Sequence, residues 1–214
     1  MKATILATAV ALSSFALAAP SAPYGGKCEK KDDYPGKDQY KKDYFTSFYS
    51  VVATPDQVVN TNSVSTPGEA GAVGYYKYAI NSREEVICYV SILLSTITWL
   101  SLTSIQDIVH KDVTGPYQSP ARTATHIHQA AKGLNGPPRI AFPNPVGDDK
   151  FRQSKGCLKG PFVTGINVTG SNPPVDTGSA SGFKLSLIEA NPAGFFTDAH
   201  TTLFTAGVFR AQLA

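Results

Sequence analysis

From Tyr44 onward, apolar and polar residues alternate in short runs separated by Gly, Pro, Asn and Ser clusters. Runs of this length with period two read as half-buried strands, because successive side chains of a strand point to opposite faces. Strands are expected over residues 45–53, 71–80, 86–94, 124–130, 139–142, 162–168, 194–200 and 207–213. Residues 183–189 carry Phe183, Leu185, Leu187 and Ile188 and fit either a strand or one short helix, ended by Asn191-Pro192. Residues 54–70 are rich in Thr, Ser, Asn, Pro and Gly and read as a loop, and residues 81–84 as a turn. The fold class that follows is all-β.

One stretch breaks the alternation. Residues 86–105 (VICYVSILLSTITWLSLTSI) contain no charge. Three readings stand: a membrane span, a buried strand pair, or an insertion that is not natural protein, such as a retained intron. Ser and Thr recur through the stretch, which favours the strand pair over a span. The part in doubt as an insertion is residues 90–105.

The N-terminus reads as a secretory signal. Lys2 begins it, residues 5–17 are apolar but short for a bilayer, and Ala16-Leu17-Ala18 is a small-x-small cleavage site. Residues 1–18 are therefore expected to be removed, and the protein to be secreted to the extracellular space or cell wall. Residues 19–43 form a mixed-charge arm punctuated by Tyr24, Tyr34 and Tyr40, with almost no aliphatic residue to offset ordering entropy; flexibility is expected there. Residues 44–214 are expected to form the domain. With a formal charge of +3 and no Lys/Arg stripe, the chain offers nucleic acid no footprint.

Three cysteines follow the signal, an odd count. A secreted protein is expected to pair two, and Cys88 with Cys157 is the choice; Cys28 with Cys88 is the alternative. Closing so long a loop is worth ~4 kcal/mol in the chain-entropy model. Asn167-Val168-Thr169 is the single sequon that lacks proline, and hence a candidate N-glycosylation site.

The candidate chemistry rests on histidine. Three of the four histidines lie in Thr125-His126-Ile127-His128 and Asp198-Ala199-His200. On a strand, His126 and His128 share one face, and His200 is a third imidazole that could meet them. Such a trio suits copper or zinc. The fourth, His110, lies beside Lys111 and Asp112 and is expected in a solvent-facing loop. Residues 133–138 (GLNGPP) read as the turn that ends the His-bearing strand. A hydrolase reading fails at Gly178-Ser179-Ala180-Ser181-Gly182, whose centre is Ala180 where a nucleophile elbow needs Ser.

Ala124-Thr125-His126-Ile127-His128, then Gly133-Leu134-Asn135-Gly136-Pro137, then Asn191-Pro192, His200-Thr201 and Gly207-Val208-Phe209-Arg210-Ala211-Gln212-Leu213 together resemble the CHRD domain family over about residues 44–214. The chain departs from the family pattern at Ala211, where Gly is usual, and at Val208-Phe209, where an acidic residue usually precedes Arg210. The resemblance implies an immunoglobulin-like Greek-key β-sandwich, likened to the copper/zinc superoxide dismutases. By that likeness, His126, His128 and His200 match three copper ligands, and Arg210 stands near the site in support. No histidine matches the fourth copper ligand, and no zinc-loop cluster is present. The expected function is a secreted CHRD-domain module, non-catalytic, binding an extracellular protein or cell-wall component, with histidines suited to a metal. The alternative is a copper-dependent redox protein of dismutase type. The question of enzyme activity stays open and leans toward none.

Overall fold

The computed structural model describes residues 44–89 and 108–214. The expectations of a signal and a flexible arm, the state of Cys28, and all but residues 86–89 of the uncharged stretch lie outside the described residues. Among the described residues eleven strands occur in chain order: β1 (Ser47–Ala53), β2 (Val73–Asn81), β3 (Val86–Tyr89), β4 (Ile108–Lys111), β5 (Thr125–Gln129), β6 (Pro138–Phe142), β7 (Val146–Gly147), β8 (Phe151–Ser154), β9 (Gly156–Lys159), β10 (Phe195–Ala199) and β11 (Phe209–Gln212). One short helix, α1 (Leu185–Ala190), precedes β10 and buries Leu185 and Ile188.

The strands form two antiparallel sheets. In the first, β2 is central: β1 lies along one edge, β3 and β4 share the other, and β9, β8 and β7 follow outward. The second runs β11-β10-β5-β6. The chain is thus an all-β sandwich. Tyr76, Tyr78, Ile80, Ile87 and Ile108 of the first sheet pack against Ile127, Ile140, Phe142, Phe195 and Phe209 of the second, all buried. Each such side chain contributes roughly 1.5–3 kcal/mol by leaving water.

Alternation in the second sheet fixes where chemistry can sit. Thr125 and Ile127 of β5, Phe195, Thr197 and Ala199 of β10, and Phe209 and Ala211 of β11 share the inner face, as their pairing register requires. His126, His128, Phe196, Asp198, Arg210 and Gln212 are left on the outer face. One cross-strand row reads His126, Asp198, Arg210, and the next reads His128, Phe196, Gln212. Loops cover this face, so β5 and β10 are buried on both sides.

Two tyrosines of β2 tie the sheets together. The Tyr78 hydroxyl lies 2.9 Å from Thr197 Oγ1, which donates to the His126 carbonyl at 2.9 Å. The Tyr76 hydroxyl donates to the Asp198 carbonyl at 3.3 Å and lies 2.8 Å from His110 Nε2. Cys88 and Cys157 face each other in the β3–β9 ladder, with Cα atoms 4.0 Å apart, and are joined as the expected disulfide.

Two expectations are corrected and one open alternative is resolved. Residues 162–168 are not a strand. They form a loop whose one bridge is Asn167 to Asp176, held because the Asp176 carboxylate accepts from the Thr164, Gly165 and Gly178 amides. Residues 183–189 resolve to the helix of their two alternatives. His110 is neither in a loop nor solvent-facing: it sits in β4, paired with Gly74 and Arg152, and is fully buried. Its ring lies between the hydroxyls of Tyr76 and Tyr117, the latter 2.5 Å from Nδ1. Because the Tyr76 proton goes to a carbonyl, His110 donates from Nε2 and accepts the Tyr117 proton at Nδ1.

Burial, aided by the charge of Arg152, pushes His110 down to about 3 from its ordinary 6.5. Between those values the unfolded chain binds a proton that the native state refuses. The stabilisation is therefore complete above pH 6.5 and is lost as pH falls toward 3, at up to about 1.4 kcal/mol per pH unit. Urea unfolding from pH 7 to pH 4 should show this slope, and His110→Gln should be less stable at pH 7 but flatter across the window.

Candidate metal centre

Four side chains converge on the outer face of the second sheet. His126 and His128 come from β5, Asp198 from β10, and His200 from the residue after the Ala199 end of β10, where its amide continues the ladder to the Ala124 carbonyl at 2.9 Å. One ligand atom from each lies within 4.8 Å of all the others. The rings stand with centroids 5.2 Å (His126–His128), 5.5 Å (His126–His200) and 6.4 Å (His128–His200) apart. The structure thus brings together all three histidines expected from the sequence and adds Asp198. The rule that pairs His126 with His128 also pairs Asp198 with His200 two residues on, so the signal for Asp198 was present in Asp198-Ala199-His200.

The hydrogen bonds assign the histidine protons. His126 Nε2 faces the Thr123 carbonyl at 2.6 Å, His128 Nδ1 the Gly136 carbonyl at 2.8 Å, and His200 Nδ1 the Thr205 carbonyl at 3.0 Å. A carbonyl only accepts, so each ring donates there, and a neutral imidazole has one N–H to give. The other nitrogens are then bare, and all point at one carboxylate. His126 Nδ1 and His128 Nε2 each lie 3.4 Å from Asp198 Oδ1, and His200 Nε2 lies 3.2 Å from Oδ2. His126 Nδ1, His128 Nε2 and Asp198 Oδ1 are buried without a hydrogen-bond partner. Lone pairs facing a carboxylate in a buried site repel unless a cation lies between them.

The electrostatics follow from this crowding. Burial holds His126 below its ordinary value. Burial works the same way on His200, but the Asp198 charge and hydrogen bonds to Asp198 and Thr205 outweigh it and raise the ring. Burial would lift Asp198, yet the three imidazoles crowded onto its carboxylate hold it well below the usual carboxylate range. A proton on His200 satisfies one carboxylate oxygen; it leaves the two nitrogens of β5 and Oδ1 unpaired.

Arg210 stands beside Asp198 in the same row, but its donors are spent elsewhere. It donates to the Leu134 carbonyl at 2.8 Å and the Ala131 carbonyl at 3.2 Å, and its guanidinium lies 3.4 Å from the Phe196 ring centroid. It thereby clasps the β5–β6 turn over the site, and that turn supplies the Gly136 carbonyl that orients His128. Gly136 is required there: a Cβ would stand 2.1 Å from the Gln129 carbonyl oxygen. Gly133, at φ +78°, permits the left-handed step earlier in the turn. The turn expected merely to end a strand is therefore part of the centre.

The cluster opens into a cleft of about 740 Å³, walled by Val58, Pro120, Pro137 and Ile166 and reaching the exposed Asn167. Ser179 and Ser181, at the false elbow, serve the backbone: Ser179 accepts from the Phe162 amide, and Ser181 donates to Thr177 and accepts from Arg139. Among the described residues, no helix is long and apolar enough to cross a membrane.

No curated protein and no solved structure matches the chain. The CHRD domain matches residues 49–213, a span that takes in both sheets, the four converging side chains and the turn clasped by Arg210. The chain belongs to the CHRD domain family.

Proposed function

We propose that this protein is a secreted CHRD-domain module that holds one zinc or copper ion at His126, His128, Asp198 and His200 and acts as an extracellular or wall-associated binding protein. The observation that carries the metal reading is the set of bare nitrogens: three rings spend their only N–H on main-chain carbonyls and turn the other nitrogen to one buried carboxylate. This is the arrangement of metal-ligating histidines, whose second nitrogen is fixed by an outer hydrogen bond. The donor set of imidazoles and a carboxylate suits zinc and copper over magnesium or calcium. Ligands at ~2.0–2.2 Å from one ion lie at most about 4.4 Å apart, so the site closes slightly on binding.

When bound, the ion supplies the positive charge that the carboxylate and lone pairs lack. The chain's own residues hold the ligands ready: Thr123, Gly136 and Thr205 fix the tautomers, Arg210 fixes the turn, and Tyr78 through Thr197 fixes the β5 backbone. A second reading, redox chemistry of dismutase type on copper, draws support from the cleft beside the cluster. Against it, the Arg210 guanidinium is engaged by carbonyls and a ring, which leaves no free cation on the outer face of that row to steer an anion.

Protein purified without chelator should carry about one equivalent of zinc or copper by elemental analysis. His128→Ala and Asp198→Asn should each abolish it, and chelation should lower the Tm, as expected for a ligand that binds only the native state. A protein that takes up neither metal and melts alike with and without it would remove the metal reading. Superoxide dismutation by the copper-loaded protein, absent in His126→Ala, would select the second reading.

Gly136→Ala should weaken metal affinity by about 10–100-fold through the His128 orientation, the scale of losses at outer-shell partners. Titration with a competing chelator reads this, and circular dichroism checks that the sheets persist.

The secretion reading draws support from the signal-like N-terminus, the Cys88–Cys157 disulfide and the exposed sequon. Protein recovered from culture medium should begin at or near Ala19 and lose mass on enzymatic deglycosylation. Asn167→Gln should abolish that loss.

A further inference from the structure

We infer that residues 90–106 are the translation of a retained intron, and that the working domain has Tyr89 joined directly to Asp107. The inference rests on the ladders that flank this stretch. Strands β3 and β4 lie along the same edge of β2, where Ala79 faces Cys88 and Tyr76 faces Ile108. Three steps along β2 should move the partner three residues, from Cys88 to position 91; Ile108 stands there instead, a surplus of seventeen. The other neighbour gives an independent count. Tyr89 faces Gly156 of β9, and Ile108 faces Ser154 of β8. Two steps along the chain, from Gly156 back to Ser154, should again reach position 91, and the surplus is again seventeen.

The two flanking strands therefore leave one place between Tyr89 and Ile108, with Lys77 on one side and Lys155 on the other. A β-bulge adds one residue to a strand, not seventeen, and an ordinary insertion sits at a loop rather than inside a continuous ladder. Both lysines are exposed. Asp107 in that place would set a carboxylate between two ammonium groups, the favourable cross-strand pairing. Val90 would set an apolar side chain there. The charge pattern thus selects Asp107 as the native occupant and residues 90–106 as the surplus.

The residue types at the junctions agree. An intron begins with GT and ends with AG in the coding strand. Every valine codon begins with GT, and one of the two glutamine codons ends in AG, so Val90 and Gln106 fit as first and last codons of an in-frame insertion. The other seventeen-residue window, 91–107, begins with Ser and ends with Asp, and no codon of either fits. The inserted stretch has no charged residue. Its Ile, Leu and Val codons all have T at the second base and its Thr codons C, as a pyrimidine-rich intron would give.

The chain's one tryptophan, Trp99, lies inside the stretch and makes the test direct. Protein isolated from its natural source should show tyrosine but no tryptophan fluorescence. It should yield a peptide running Cys88-Tyr89-Asp107-Ile108 by mass spectrometry. A recombinant chain lacking residues 90–106 should fold and melt higher than the full chain, and Asp107→Lys in that background should lower its Tm by placing three like charges side by side. Tryptophan emission and peptides from residues 90–106 in the natural protein would overturn the inference, as would a deletion chain that fails to fold. This outcome is independent of metal content, which reads the other sheet.

Discussion

The second sheet depends on a simple limit: a neutral imidazole has one proton to donate. Thr123, Gly136 and Thr205 each take that proton through a main-chain carbonyl, and none of the three lies in a strand. The strands bring the rings to one face, but the loops decide which nitrogen is left bare. The apparent oddities of the sheet follow from this. Its outer face must be covered, because the carbonyls that orient the rings belong to covering loops. The β5–β6 turn must contain Gly136, because any side chain there would displace the carbonyl that holds His128. Arg210 must be long and planar, because it reaches two carbonyls of the same turn while lying on Phe196.

The first sheet contributes rigidity to the same end. Tyr78 bears on Thr197 and through it on the His126 carbonyl, while Tyr76 bears on the Asp198 carbonyl. Polar ties across an otherwise apolar core are costly when unmet and specific when met. Here they act on the two residues whose positions matter most to the cluster. His110 continues the network to Tyr117, so a histidine with no part in the four-residue cluster still helps to anchor its backbone.

Much of this was legible in the sequence, for definite reasons. Period-two alternation located β1, β2, β5, β6, β10 and β11, because each has one apolar face or two. It failed for β7, β8 and β9, which are only two to four residues long and mix glycine, polar and apolar residues, too short a run for a period to show; they lie toward the sheet's edge and expose much of their surface. His110 was misread because Lys111 and Asp112 follow it. Only Lys111 belongs to the strand, and Asp112, at φ +52°, already turns away. The apolar alternation of residues 162–168 was answered by the Asp176 carboxylate rather than by a neighbouring strand, which no local pattern reveals. The His126–His128 pair was visible from spacing, and His200 entered as a third imidazole through the family resemblance. Asp198 obeyed the same spacing and was passed over, since an aspartate on a strand reads as an exposed charge until its surroundings are known.

The tyrosine ties also bear on register. A strand that slips by one residue turns its apolar side chains to the wrong face, and burial forbids it. A slip by two keeps every face correct, so hydrophobic patterning alone leaves that error cheap. Tyr78 meets Thr197, and Tyr76 meets the Asp198 carbonyl, in one alignment only. A sheet displaced by two residues would break both ties at once and leave the Tyr78 hydroxyl buried without its partner. The two hydroxyls thus act as a ruler across the sandwich, setting which of several equally greasy alignments the chain accepts.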